Sequence, residues 1–189
     1  MMKKILLLFL LIFSIGAFAQ SSESLIDLNQ KRLDINRTGM IILGSWAVGN
    51  MAIGTTGYFR SEGQTKYFHQ MNAMWNLVSL GIAGFGLYSA LNDPTQLDFA
   101  ESIQQHESIR RILLFNAGLD VGYMATGIYL RERAFRSDRP ERLTGYGNAL
   151  LLQGAFLFTF DLVMFLTHGS MSEPLYNLEI SPMGMIYRF

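Results

Sequence analysis

Four long stretches almost free of charge set the terms for what this chain can fold into. Residues 38–59 run for 22 positions without Asp, Glu, Lys or Arg, and residues 67–92 for 26. Residues 112–130 hold one acid, Asp120, and residues 143–172 hold one, Asp161. A hydrocarbon core about 30 Å thick takes roughly 20 apolar residues of helix. A helix on the surface of a soluble bundle shows charge on its outer face at every turn or two. These stretches do not, so the pattern predicts an all-α, four-transmembrane-helix bundle with spans at about 38–59, 67–92, 112–130 and 146–168. Half of the 189 residues are hydrophobic, and 15 basic residues balance 15 acidic ones. That balance excludes a disordered chain and argues against a nucleic-acid partner. The expected surroundings are a lipid bilayer. The absence of cysteine excludes disulfides, a thiol nucleophile and a Cys-type metal site.

The first 19 residues read as a cleaved signal peptide: Lys3 and Lys4, an apolar run from Ile5, then Ala17-Phe18-Ala19. Removal would leave the mature N-terminus outside. The loop after the third run carries Arg131, Arg133, Arg136, Arg139 and Arg142, which fits a cytoplasmic loop. The expected location is therefore a bacterial inner membrane, multi-pass, with both mature termini on the periplasmic side. Ser24–Asn36 and Thr95–Ile109 mix apolar with charged residues and are expected to be two short amphipathic surface helices. The mature chain would comprise a membrane domain over residues 20–174 and an extended tail over 175–189.

Val48-Gly49-Asn50-Met51-Ala52-Ile53-Gly54 matches Val121-Gly122-Tyr123-Met124-Ala125-Thr126-Gly127 at five of seven positions, at an offset of 73. An offset of 76 sets Asn72-Ala73 on Asn148-Ala149. This suggests an internal duplication of a surface helix plus a helical hairpin, two copies sharing one orientation.

Polar side chains inside a membrane must face the bundle and find partners. The intramembrane candidates are Asp120, Asp161, Asn116, Asn50, Asn72, Asn76 and Gln153. Counting 1.5 Å per residue, Asn50, Asn76 and Gln153 form an expected inner amide layer, and Asp120 and Asp161 an outer carboxyl layer. Like-charge repulsion would hold a proton on one of two adjacent carboxyls. The same residues serve either as a proton- or cation-handling site or as hydrogen-bonding glue between helices. Gly118 and Gly122 form a small-xxx-small step suited to packing. Trp46 and Trp75 are expected to be buried packing residues.

Catalytic signatures are missing: there is no phosphate-binding loop, dinucleotide fingerprint, nucleophile elbow or zinc-protease motif. No catalytic residue and no metal site is assigned, and no cofactor is indicated. His106 and His168 fall on the outer side, whereas His69 falls at the opposite end, so no bis-His haem pair forms across the bundle. Tyr67–Asn76, Phe115–Tyr123 and Leu143–Gly154 resemble an uncharacterised family of bacterial four-span membrane proteins with a domain of unknown function. That resemblance implies an inner-membrane helical bundle and no activity. The expected function is a non-enzymatic scaffold or accessory subunit, as a homo-oligomer or within a larger membrane complex. The alternative is a small proton- or cation-coupled carrier or channel using Asp120 and Asp161.

Overall fold

The computed structural model describes residues 2–172, with side chains from residue 24 onward. The expected tail over 175–189 lies outside the described residues. Those residues form four helices and no strand: α1 (Met2–Arg60), α2 (Gly63–Asn92), α3 (Phe99–Ala134) and α4 (Pro140–Gly169). The chain is all-α. Two of the helices, α2 and α4, are long and apolar enough to cross a membrane.

Local chemistry sets the helix ends. Gly63 adopts φ +56°, a conformation open to glycine, and this lets the chain reverse over two residues between α1 and α2. Asp93 is extended ahead of Pro94, which stops α2. Asp98 and Glu101 form a reciprocal capping box at the start of α3, and Pro140 opens α4 at a position where no N–H is needed.

The expected surface helices are not separate elements. Residues 24–36 are part of α1, and residues 99–111 are the opening turns of α3. The reason is simple: neither Ser24–Thr38 nor Phe99–Ala117 contains Gly or Pro, so nothing interrupts the hydrogen-bond ladder. Their buried faces pack together instead of lying on a surface. Leu33, Asn29 and Arg32 of α1 and Ser102 and His106 of α3 are all buried.

The hairpins α1–α2 and α3–α4 each pack along their length, and α2 against α4 joins them. Glycines permit the closest approaches. A Cβ on Gly54 would lie 2.9 Å from the backbone N of Ala73 and the backbone O of His69. A Cβ on Gly127 would lie 2.7 Å from the backbone O of Gly147. Gly145 fits α4 against the backbone of Gln64 and Phe68 in α2. Gly118 and Gly122, whose spacing suits packing, point outward, where an added Cβ would meet nothing within 4 Å.

Polarity is inverted relative to a water-soluble protein. Asn72, Asn76, Asp120, Gln153, Asp161 and His168 are buried, while Ile53, Leu77, Phe85, Phe115, Val163 and Leu166 are exposed. The exposed face of α1 changes from Asp27, Lys31, Asp34 and Arg37 to Ile41, Ile42 and Val48. The exposed face of α3 changes in the same way, from Glu101, Gln104 and Arg111 to Ile112, Leu114 and Phe115.

Candidate functional site

Three polar layers occupy the interior. The first is a closed ring over α1, α2 and α4. The Trp46 indole N–H donates to Gln153 Oε1 at 3.0 Å, and the Gln153 amide donates to Asn72 Oδ1. The Asn72 amide donates to Asn50 Oδ1 at 2.9 Å, and the Asn50 amide returns to the backbone carbonyl of Trp46 at 2.9 Å. Each of the three amides both donates and accepts within the ring, so the ring has a single direction, and the Asn72 amide also reaches the backbone carbonyl of Asn50 at 3.4 Å. Trp46 also stacks on Phe156, with centroids 3.8 Å apart. It is half-buried and polar in role, where pure packing was expected.

Asn72 takes the place that depth counting gives to Asn76. Helix α2 begins at Gly63, four residues before the first residue of the uncharged run, and this moves the layer by about one turn. Asn76 sits one turn further along, fully buried, and donates to the backbone carbonyl of Asn72 at 2.8 Å.

The second layer is the carboxyl pair. Asp120 of α3 and Asp161 of α4 are buried and lie close enough to interact. Two ionised carboxylates can only accept and repel each other, so a proton shared between them would relieve the pair. Asp120 Oδ2 is buried without a hydrogen-bond partner among the described residues.

Both acids line a cleft of about 700 Å³ between α2 and α3. Met40 and Leu43 of α1 and Leu157, Phe160 and Met164 of α4 form its back wall. Trp75 and Tyr123 meet edge to face at 4.6 Å and close one end. Asn116, one turn from Asp120, also lines the cleft, half-buried and without a side-chain hydrogen bond among the described residues. Ser79 of α2 lines it too, buried and equally unbonded. Among the described residues, no Lys, Arg or His lines the cleft.

The third layer was not foreseen as a unit. Asn29 of α1 donates to Ser102 of α3 at 2.8 Å, His168 bonds Asn36 at 2.9 Å, and His106 bonds Ser172 at 3.0 Å. The Arg32 guanidinium lies buried here; loss of hydration lowers its pKa, and Asp93 opposes that. Burial also lowers the pKa of His106. Glu107 opposes the shift, and Arg110 and Arg32 add to it. The His106 and His168 rings are 6.3 Å apart, but among the described residues no group of three or more His, Cys, Asp or Glu could hold a metal. The signal for this layer was available in the polar residues on the inner faces of 24–36 and 99–111, had these been read as packed against each other.

No curated protein and no solved structure matches the chain. A family of unknown function, DUF6992, matches residues 42–162, a segment that contains both the amide ring and the carboxyl pair, and the chain belongs to that family.

Proposed function

We propose that this is an integral membrane protein whose four helices all cross the bilayer, and that it works as a non-enzymatic scaffold or accessory subunit of a membrane complex. The inverted polarity carries this reading. Leaving Phe85, Phe115 and Leu166 in water while burying Asp120, Asp161 and Gln153 is unfavourable in solution and favourable in lipid. The switch from charged to apolar exposure near Arg37 in α1 and Arg111 in α3 supports a single membrane boundary crossing both helices. In this reading residues 1–19 are removed as a signal peptide. The loop 135–139 faces the cytoplasm, and the loop 93–98 faces the periplasm of a bacterial inner membrane.

Two contacts favour an internal duplication. Asn29 bonds Ser102 at a separation of 73, and Tyr146 bonds Gln70 at a separation of 76. Those are the two repeat offsets, and equivalent positions touch where a twofold axis passes between them.

Single cysteines test the topology, since the natural chain has none. In a bacterial host, Thr95→Cys should react with a membrane-impermeant maleimide in intact spheroplasts, and Ser137→Cys only after permeabilisation. Labelling of both residues from the same side would sink the reading. The outward glycines suggest the association face, because small-xxx-small steps let helices approach closely. Gly118→Leu with Gly122→Leu should therefore lower the particle mass seen by native mass spectrometry without unfolding the bundle. An unchanged mass would remove α3 as that face.

A second reading, a proton- or cation-coupled carrier, is favoured by one observation: the carboxyl pair stands in a cleft lined by all four helices.

A further inference from the structure

The cleft combines three features that do not balance one another. Its walls are apolar, with Ile82, Phe85 and Leu119 exposed towards the opening between α2 and α3. Its lining carries two carboxyls and, among the described residues, no Lys, Arg or His. It also holds polar groups without a hydrogen-bond partner among the described residues: the Ser79 hydroxyl, the Asn116 amide and the buried Asp120 Oδ2. A carboxyl pair sharing one proton retains one negative charge. Such a charge in apolar surroundings is costly without a counter-ion. The volume, about 700 Å³, lies in the range of sites for small organic ligands.

We propose that the cleft binds a membrane amphiphile with an ammonium head, using Asp120 and Asp161 as counter-ion and Ser79 and Asn116 as hydrogen-bonding partners. The ammonium has three N–H donors and no acceptor, the complement of a carboxyl pair, a hydroxyl oxygen and an amide oxygen. The alkyl chain leaves between α2 and α3 over Ile82, Phe85 and Leu119. An anionic head is excluded by charge, and an uncharged head leaves the negative pair uncompensated. This inference rests on the membrane reading for the source of its ligand. Binding itself is measured in detergent, independently of the topology read by cysteine labelling.

The full chain in a mild uncharged detergent is titrated with dodecylamine, dodecanol and dodecanoate, with the fluorescence of Trp75 reporting occupancy of the cleft. Dodecylamine should bind, and the other two should bind at least tenfold more weakly. Asp161→Asn should weaken dodecylamine binding by about thirtyfold or more, as expected when one member of a buried charge pair is neutralised. Ser79→Ala should weaken it several-fold. Ile82→Trp, which fills the mouth while leaving both acids in place, should also abolish it, so the proposal stays open to test if the Asn variant fails to fold. A second arm reconstitutes the protein with equal parts phosphatidylethanolamine and phosphatidylglycerol and identifies the retained lipid by native mass spectrometry. Retained phosphatidylethanolamine identifies a lipid head as the ligand; dodecylamine binding without lipid retention identifies a free amphiphilic amine. Equal binding of the three dodecyl compounds, dodecylamine binding unaffected by both Asp161→Asn and Ile82→Trp, or displacement of dodecylamine by equimolar sodium would overturn the proposal.

Discussion

Gly147→Ala should destabilise the bundle by about 3 kcal/mol, at the upper end of the usual cost of overpacking. A Cβ at this position would meet the backbone O of Gly127 at 2.6 Å and Cγ of Arg131 at 2.8 Å. The first of these is backbone on a neighbouring helix, so relief requires α3 and α4 to separate. The same carbonyl-to-glycine contact recurs in reverse from Gly127, so Gly127→Ala should act in the same direction. The control is Gly118→Ala. Nothing lies within 4 Å of Gly118, and alanine in a helix interior is favoured over glycine by up to about 1 kcal/mol. The two substitutions are chemically identical and should have opposite signs. Thermal unfolding in detergent, followed by circular dichroism, reads the difference. A loss of 3 kcal/mol corresponds to about 6–12 °C for a chain of this length. Equal melting temperatures for Gly147→Ala and Gly118→Ala would show that the α3–α4 approach does not set stability.

How far such features were legible in the residues depends on which physical signal each one leaves. The four helices were legible because uncharged runs of about 20 residues have few other uses. Burial of Asn72, Asn76, Asp120, Gln153 and Asp161 was legible because an amide or a carboxyl in an apolar run has no acceptable place on the outside. Helix continuity was not. Leu25, Leu28 and Leu33 set among charges look the same whether they lie on a surface or pack against α3. The absence of Gly and Pro from Ser24 to Thr38 was the better guide. Register between helices was legible only to within a turn, and that error exchanged Asn76 for Asn72. Trp46 was invisible as a donor because an indole reads first as apolar bulk, although its N–H closes the ring. The cleft left no local pattern. It arises from the spacing of α2 and α3, a tertiary property, and Gly81 beside it has no neighbour within 4 Å. Gly118 and Gly122 show the converse: a small-xxx-small step marks a close approach but does not say on which side.

The direction of the amide ring makes a prediction that simple bond counting does not. In the membrane reading proposed above, hydrogen bonds between helices are worth about 0.6 kcal/mol on average, so removing two of them by Gln153→Leu would cost about 1.2 kcal/mol. The substitution does more than remove bonds, however. It strands the Trp46 indole N–H and Asn72 Oδ1, which have no other partner among the described residues, in an interior where Gln153 and Asn72 are almost fully buried. Each stranded group costs about 1–3 kcal/mol, so the single variant should lose about 2–6 kcal/mol. Asn72→Leu should cost a similar amount, because it strands Gln153 Nε2 and Asn50 Oδ1. In the double variant, Asn72 and Gln153 no longer strand each other. Its cost should fall short of the sum by about 1 kcal/mol or more, a coupling typical of residues in one network. Trp46→Phe should reduce the cost of Gln153→Leu in the same way, because it removes the indole donor while keeping an aromatic face against Phe156. Unfolding free energies for the four members of each cycle, measured in one detergent, decide the matter. Additive losses would mean that the amides act as separate contacts; a deficit in both cycles would mean that α1, α2 and α4 are held by the ring as a unit.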